Sequence, residues 1–251
     1  MPTPTLTQRL LEPLAADPHL PRLVHYGPGG RAELSTATLT NWSAKVAGLL
    51  TDELGLDPGD RALLRPMPGW LPAPILLGCW WAGVTVRIDD SPEPAGPFAI
   101  AFLPDPAGAA AGGDAETDGD ADEVLVVSAH PLALPSQQLL PHQRDFSTAV
   151  LAQSDQYRPF RLPDPAEVLL ETGSAGLTAD HLLAAAPHWD APPRVLTTSG
   201  WDAAAANSPV ELLIGVLASS GTLVQATDPA LTSDPAALDR IADDENITDR
   251  A

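Results

Sequence analysis

Few side chains in this sequence of 251 residues are arranged for nucleophilic catalysis. Ser128 and His130 follow an apolar run, and Ser174 lies in a stretch of small polar residues. A serine hydrolase orders its nucleophile, base and acid recognisably along the chain, often with the serine in a Gly-x-Ser-x-Gly turn. The sequence has neither that turn nor that order. We therefore predict no hydrolase and assign no catalytic residue.

The histidines do not form a metal-binding pattern. They are His19, His25, His130, His142, His181 and His188. No pair has the His-Glu-x-x-His spacing of zinc enzymes, and Pro187 interrupts any helix that would carry His181 and His188 on one face. We therefore predict no metal site.

The single cysteine and a group of tryptophans lie in one apolar segment. Cys79 is flanked by Leu77, Trp80 and Trp81, so we expect a buried thiol with a raised pKa rather than a nucleophile. Trp70, Trp80 and Trp81 either fill a core or line an apolar cleft, and the apolar surroundings favour the core.

One stretch of small polar residues is a candidate anion-binding loop. It contains Thr172, Gly173, Ser174 and Gly176, between a predicted strand and a predicted helix. Backbone amides and hydroxyls in such a loop hold phosphate at a helix N-terminus. Small polar residues are also common in an ordinary strand-to-helix turn, so both interpretations stay open.

The elements that would position these residues follow from hydrophobic periodicity. Helices are predicted over 6–14, 36–54, 71–82, 178–186, 210–218 and 235–241. Strands are predicted over 23–26, 31–34, 61–65, 84–88, 99–103, 123–128, 167–170, 194–198 and 222–226. Apart from a first hairpin, helices and strands alternate. This alternation predicts an α/β fold, with mostly parallel sheets and helices on both faces.

Two segments resemble each other and indicate two similar α/β halves. Residues 79–86 and 217–224 both pass from an apolar helix through glycine into a strand. A glycine that ends a helix is a general device, so the likeness also fits unrelated segments. We predict one domain over residues 1–251.

An acidic segment interrupts this pattern at 104–122. It has no large apolar side chain between its first and last residues, so it cannot bury enough surface to become ordered. We predict a flexible loop that replaces or decorates a crossover between two strands. Deletion of residues 107–119 is expected to leave the melting temperature nearly unchanged.

The composition excludes several partners. The net charge is −20, which repels nucleic-acid phosphates and anionic lipid, so we expect neither a nucleic-acid nor a membrane partner. The first thirty residues do not have the order of a signal peptide, and prolines and glycines interrupt every long apolar stretch. We therefore expect a cytoplasmic protein.

The segment LGLDPGDRALLRPMPGWLPAPILLGCWWAGVTVRI, residues 54–88, resembles the start of the acyl-CoA synthetase and adenylation-domain superfamily of adenylate-forming, AMP-binding enzymes. The matching positions are Gly55, Gly59, Asp60, Arg61, Ala82 and Gly83. Residues 167–186 and 211–226 resemble, more weakly, the phosphate loop with its helix and a later helix and strand.

The resemblance implies the fold of the N-terminal domain of these enzymes and a phosphate loop at Thr172, Gly173, Ser174 and Gly176. It also shows what differs. The family loop ends in Gly-x-Pro-Lys-Gly, and this sequence lacks the Pro-Lys, its one lysine being Lys45. The family's later Tyr-Gly-x-Thr-Glu element, ribose-binding aspartate and C-terminal domain with a catalytic lysine are not found either. We therefore predict a truncated, degenerate relative.

Three functions remain open. The first is a non-catalytic pseudoenzyme that binds a small molecule or a protein. The second is one half of an acyl-adenylating enzyme completed by a separate chain, and the third is a structural or interaction module. No cofactor is expected, although weak binding of a nucleotide or small anion fits the loop amides.

Overall fold

The computed structural model describes residues 3–106, 120–173, 175–201 and 208–251. The helices are α1 (Leu6–Leu11), α2 (Thr36–Gly48), α3 (Pro72–Ala82), α4 (Phe146–Leu151), α5 (Ala179–Ala185), α6 (Pro209–Ala218), α7 (Pro229–Thr232) and α8 (Pro235–Asp244). The strands are β1 (Pro21–Gly27), β2 (Gly30–Ser35), β3 (Arg61–Leu64), β4 (Thr85–Ile88), β5 (Phe98–Pro104), β6 (Ala121–Val127), β7 (Gln143–Asp145), β8 (Val168–Thr172), β9 (Ala175–Thr178), β10 (Arg194–Thr197), β11 (Thr222–Ala226) and β12 (Asp249–Arg250). None of these helices combines the length and the apolar character needed to cross a lipid bilayer.

The strands form two sheets. The small sheet has the order β12-β10-β11-β1-β2, and the large sheet has the order β7-β6-β5-β3-β4-β8-β9. Among the described strands, β1 with β2 and β8 with β9 pair antiparallel, and all other neighbours pair parallel. Helices flank the sheets, which confirms the predicted α/β class with mostly parallel strands.

Strand β1 lies inside the small sheet, between β11 and the edge strand β2, although it is near the start of the chain. Leu23 of β1 is in register with Leu223 of β11, and β2 pairs along the other side of β1 as a hairpin. Successive residues of a strand point to opposite faces. Leu23 therefore joins the main core, while Val24 packs in a second cluster that contains Ile241 of α8.

Helix α3 is buried along nearly its whole length, which its continuous apolar sequence favours. It approaches α2 closely at Gly78, where an added Cβ would lie 2.5 Å from Val46 side-chain atoms. Gly83 ends the helix with a φ of +79°, a conformation that glycine adopts without strain. The buried Trp80 indole donates to the Leu169 carbonyl at 2.9 Å, so this tryptophan fills the core as predicted.

The passage from α6 into β11 differs from its prediction. In the first of the two similar segments, residues 79–86, Gly83 ends the helix in a left-handed conformation. In the second, residues 217–224, Ser220 takes the left-handed position after α6, with a φ of +58°. Gly221 is needed for a different reason, because an added Cβ would lie 2.4 Å from the Pro193 carbonyl oxygen. The two segments thus share an order of elements without sharing the conformation of the glycine.

The acidic segment connects two neighbouring parallel strands, as predicted, since β5 and β6 pair from Phe98 opposite Ala121 to Pro104 opposite Val127. Most of the segment, residues 107–119, lies outside the described residues. The predicted loop was too long at both ends, because Pro104 belongs to β5 and Asp122 belongs to β6.

Strand β7 and helix α4 were not predicted from the sequence. Both are short, with three and six residues, so neither contains enough residues to display a hydrophobic period. A capping signal was present, because the Asp145 carboxylate accepts from the Thr148 backbone N–H at 2.6 Å and starts α4. Phe146 then packs in the core against Phe102 of β5.

Candidate ligand-binding cleft

A cleft of about 630 Å³, referred to below as the cleft, opens at the carboxyl ends of strands from both sheets. Its lining includes His25 of β1, Asp105 directly after β5 and Ser128 directly after β6. The rest comes from the β1-β2 turn, residues 68–69 and the loop 129–137. Ligands of open α/β sheets bind outside the carboxyl ends of the strands. The cleft is therefore the candidate functional site.

One wall of the cleft is the loop that follows β6, and local hydrogen bonds define its shape. The Ser128 hydroxyl accepts from the His130 backbone N–H at 3.2 Å, and His130 Nδ1 accepts from the Leu132 N–H at 3.1 Å. The Ala133 N–H donates to the His130 carbonyl at 2.8 Å. The end of the loop is tied to the junction of β7 and α4, because the Ser136 N–H donates to the carboxylate of Asp145, the last residue of β7, at 2.7 Å.

Two indole groups join the cleft loops to each other and to the core. Trp70 Nε1 donates to the Pro131 carbonyl at 3.0 Å, and Trp201 Nε1 donates to the Gly69 carbonyl at 2.8 Å. Both tryptophans are buried. The loop at 68–69 and the wall at 129–137 are therefore held by side chains from the core, and the cleft is largely preformed.

His25 contributes a buried imidazole to the cleft. It is 3% exposed, its Nε2 lies 2.8 Å from the Thr227 hydroxyl oxygen, and burial lowers its pKa from 6.5 to about 4. The ring is therefore uncharged at neutral pH. Sequence analysis singled out no role for this histidine, although its place in β1 between buried residues was a signal that it faces the interior.

The electrostatic character of the cleft is acidic. Asp105 is 8% exposed, and its backbone N–H donates to the Val127 carbonyl at 2.9 Å, which places it beside the end of β6. No lysine or arginine is among the described residues that line the cleft. Most of the lining is proline, glycine, alanine and leucine, so the cleft combines apolar walls with a buried carboxylate.

The predicted phosphate loop has a different local structure from the one expected. Thr172 ends β8, Gly173 forms the turn and Gly176 lies within β9, so the segment is the tip of a β-hairpin. Ser174 lies outside the described residues. The predicted helix start at residue 178 is confirmed, because α5 begins at Ala179 with Thr178 as its cap, but the unpredicted strand β9 lies between this loop and the helix.

The hairpin tip lies near cations that the sequence spacing did not reveal. Arg87 of β4 donates to the Gly173 carbonyl at 3.2 Å, because β4 and β8 are parallel neighbours. Carboxylates already pair with this charge: Arg87 lies 2.7 Å from Asp89 and 3.8 Å from Glu171. Glu171 also receives two hydrogen bonds from Arg61, at 3.0 and 2.7 Å.

The other residues considered for catalysis have structural roles in the described contacts. Ser128 and His130 do come together, but the hydroxyl accepts from the His130 backbone and Nδ1 of the ring accepts from Leu132. Cys79 is fully buried in α3, and burial raises the pKa of its thiol, which confirms that prediction. Lys45 lies 3.0 Å from Asp155 and donates to the Gln153 carbonyl.

Comparison with known proteins gives one relative in sequence and a likeness in structure. No protein-family model matches the chain. The chain is 35% identical over 258 residues to the "TIGR03089 family protein" of Mycobacterium tuberculosis (strain ATCC 25618 / H37Rv), covering 99% of each chain. It superposes on an acyl-CoA synthetase of Brucella canis with a TM-score of 0.75 at 14% identity. That superposition covers 98% of this chain and 46% of the synthetase, so the chain spans about half of that enzyme's length.

Proposed function

Since the chain belongs to the TIGR03089 family and has the fold of part of an acyl-CoA synthetase, we propose that it is a non-catalytic relative of the adenylate-forming enzymes. In this proposal the cleft binds a small organic molecule, and no acid is adenylated. The single observation that carries the proposal is the preformed cleft at the carboxyl ends of strands from both sheets.

The charges around the hairpin tip support the absence of adenylation. Attack of a carboxylate on the α-phosphorus of ATP brings anions together, so it requires concentrated positive charge. The sequence has no lysine in or next to residues 172–176, and the nearby Arg61 and Arg87 form ion pairs with Glu171 and Asp89. A triphosphate would have to displace these carboxylates.

A protein-interaction role is the second candidate. Four leucines between β6 and β7 are exposed, namely Leu132, Leu134, Leu139 and Leu140. Leu132 is the most exposed of them, at 76%; a single exposed leucine is ordinary, whereas a group of exposed apolar side chains marks an interaction site. Because all four leucines lie in the segment between β6 and β7, this segment is the observation that favours an interaction module.

Exchange of labelled pyrophosphate into ATP tests the catalytic part of the proposal. We expect no acid-dependent exchange above a no-protein control with fatty or aryl acids and magnesium, while an active acyl-CoA synthetase gives a signal in the same assay. Exchange that survives repurification would contradict the proposal and support a working enzyme.

A thermal-shift screen tests the binding part. A library of small organic molecules with ATP, AMP and CoA is expected to give hits that Ala129→Trp abolishes, because the new indole fills the cleft. Ala152→Trp is the matched control, since Ala152 is exposed at the end of α4. A library without any hit would remove small-molecule binding and leave the interaction module.

A further inference from the structure

We propose that the ligand of the cleft is an organic cation, with an apolar body and a protonated amine. This inference rests on the proposed function, because it specifies which class of small molecule the cleft accepts. It also sets this chain apart from enzymes that bind carboxylic acids, since the charge of the ligand would be reversed.

The charged lining of the cleft carries this argument. Asp105 supplies a carboxylate that is 8% exposed, and no described lining residue is lysine or arginine. Asp105 also makes a further interaction within the chain, so it attracts a cation through its charge and its position, with that interaction kept. A carboxylate or phosphate ligand would meet a like charge in a partly desolvated site, which is unfavourable.

The neighbouring polar groups suit an ammonium group. Ser128 follows β6 beside Asp105, and it is equally buried. A hydroxyl oxygen and a carboxylate at neighbouring strand ends are both acceptors, and an ammonium group has only donors. The His25 ring is uncharged at neutral pH, so it does not oppose a cation.

The remaining surface of the cleft suits an apolar body. Pro28, Pro131, Pro135 and Leu134 contribute ring and methyl carbons, and the cleft volume of about 630 Å³ is in the usual range for sites that hold small organic molecules. The proline rings and the bonded loop vary little in conformation, so little entropy is lost when a ligand binds.

A series of three probes of similar shape tests the charge of the ligand. Phenylbutylamine, phenylbutanol and phenylbutyrate carry a positive charge, no charge and a negative charge on the same apolar body. Titration calorimetry at neutral pH and moderate salt gives their affinities for the full chain. We expect the amine to bind roughly tenfold or more tightly than the acid, with the alcohol between them.

Charge-removing variants locate the effect. Asp105→Asn is expected to bring the amine and the alcohol to equal affinity. Asp122→Asn is the matched control, because it removes the same charge from the exposed start of β6, about 20 Å along the strand from Ser128. Ser128→Lys places a cation in the cleft and is expected to reverse the preference towards the acid, which keeps the test valid if Asp105→Asn does not fold.

The outcomes separate this inference from the proposed function. Equal binding of the amine and the alcohol, or tighter binding of the acid, overturns the cationic ligand while small-molecule binding stands. An amine preference that Asp105→Asn retains also overturns it, since the net charge of −20 would then explain the effect. Failure of all three probes overturns the cationic ligand, and an empty thermal-shift screen in addition overturns the proposed function.

Discussion

The buried imidazole of His25 links the stability of the protein to pH. Burial lowers its pKa from 6.5 to about 4, so the unfolded chain binds a proton at pH values where the folded chain does not. The contribution of His25 to stability therefore falls as the pH is lowered from 6.5 to 4. Each pH unit in that window costs at most about 1.4 kcal/mol, or roughly 3 kcal/mol in total.

We expect His25→Gln to flatten this part of the pH profile. Urea denaturation of the variant and the original protein at several pH values between 4 and 7 measures the difference in slope. His19→Gln is the control, because His19 is exposed and its loss should leave the profile unchanged. Parallel profiles for His25→Gln and the original protein would show that the ring is protonated in the folded state.

The Glu171 carboxylate decides how much positive charge reaches the hairpin tip. It pairs with Arg61 at 2.7 Å and lies 3.8 Å from Arg87. We expect Glu171→Gln to strengthen any weak binding of ATP or phosphate by roughly two- to fivefold, the effect of one partly exposed ion pair. Nuclear magnetic resonance titration measures it, with Glu167→Gln, directly before β8 and at its far end from the hairpin tip, as control. Unchanged affinity would indicate that anions do not bind at residues 172–176.

At the scale of elements, the contact between α2 and α3 depends on Gly78. An added Cβ would lie 2.5 Å from the Val46 side chain and 2.9 Å from the Ser43 carbonyl oxygen. We expect Gly78→Ala to destabilise the protein by about 1–3 kcal/mol in urea denaturation, because a packed core does not accept an extra methyl group.

Removal of the Val46 methyl groups tests whether that contact is the cause. Gly78→Ala combined with Val46→Ala should lose less stability than the sum of the two single variants, since the new methyl group then has space. Only part of the lost stability should be recovered, because the new methyl group still lies 2.9 Å from the Ser43 carbonyl oxygen. Additive losses would indicate that the helices separate for another reason.

The elements were predictable where they were long and periodic. The spacing of Leu39 and Val46 identified α2, and the apolar run before Gly83 identified α3 with its end. The β8-β9 hairpin was missed because serine and glycine occur in strand-to-helix loops and in hairpin turns alike. Only the pairing of Thr172 with Ala175 distinguishes the two.

At the scale of the whole molecule, the cleft could not be predicted from local pattern. Its lining comes from β1, residues 68–69, the end of β5 and the loop after β6, which are brought together by the arrangement of the two sheets. The sequence placed Ser128 and His130 correctly after a strand. It did not place His25 or Asp105 beside them, because their contact depends on pairing between distant segments.

The parallel pairing of β5 and β6 corrects the expected result for deletion of residues 107–119. Removing them leaves three residues between Pro104 and Ala121, which reach at most about 15 Å. The connection must return along the strand, roughly 20 Å for these seven-residue strands. We therefore expect the deletion to destabilise the protein strongly.

Replacement of residues 107–119 by a glycine and serine linker of equal length distinguishes the effect of linker length from the effect of the native residues. That variant should melt within a few degrees of the original protein in calorimetry, since the segment has no large apolar side chain to pack. A loss as large as that of the deletion would show that the native residues themselves stabilise the fold.

The position of β1 has a consequence for the order of events during synthesis on the ribosome. Leu23 pairs with Leu223, which is synthesised two hundred residues later. Strands β3, β4, β5 and β6 pair with one another across much shorter sequence separations. The large sheet is therefore able to assemble while the nascent first hairpin is still without its neighbour. Until β11 has been synthesised, the apolar strand β1 of the nascent chain lacks its parallel neighbour, and non-native strand pairing at this edge must be avoided.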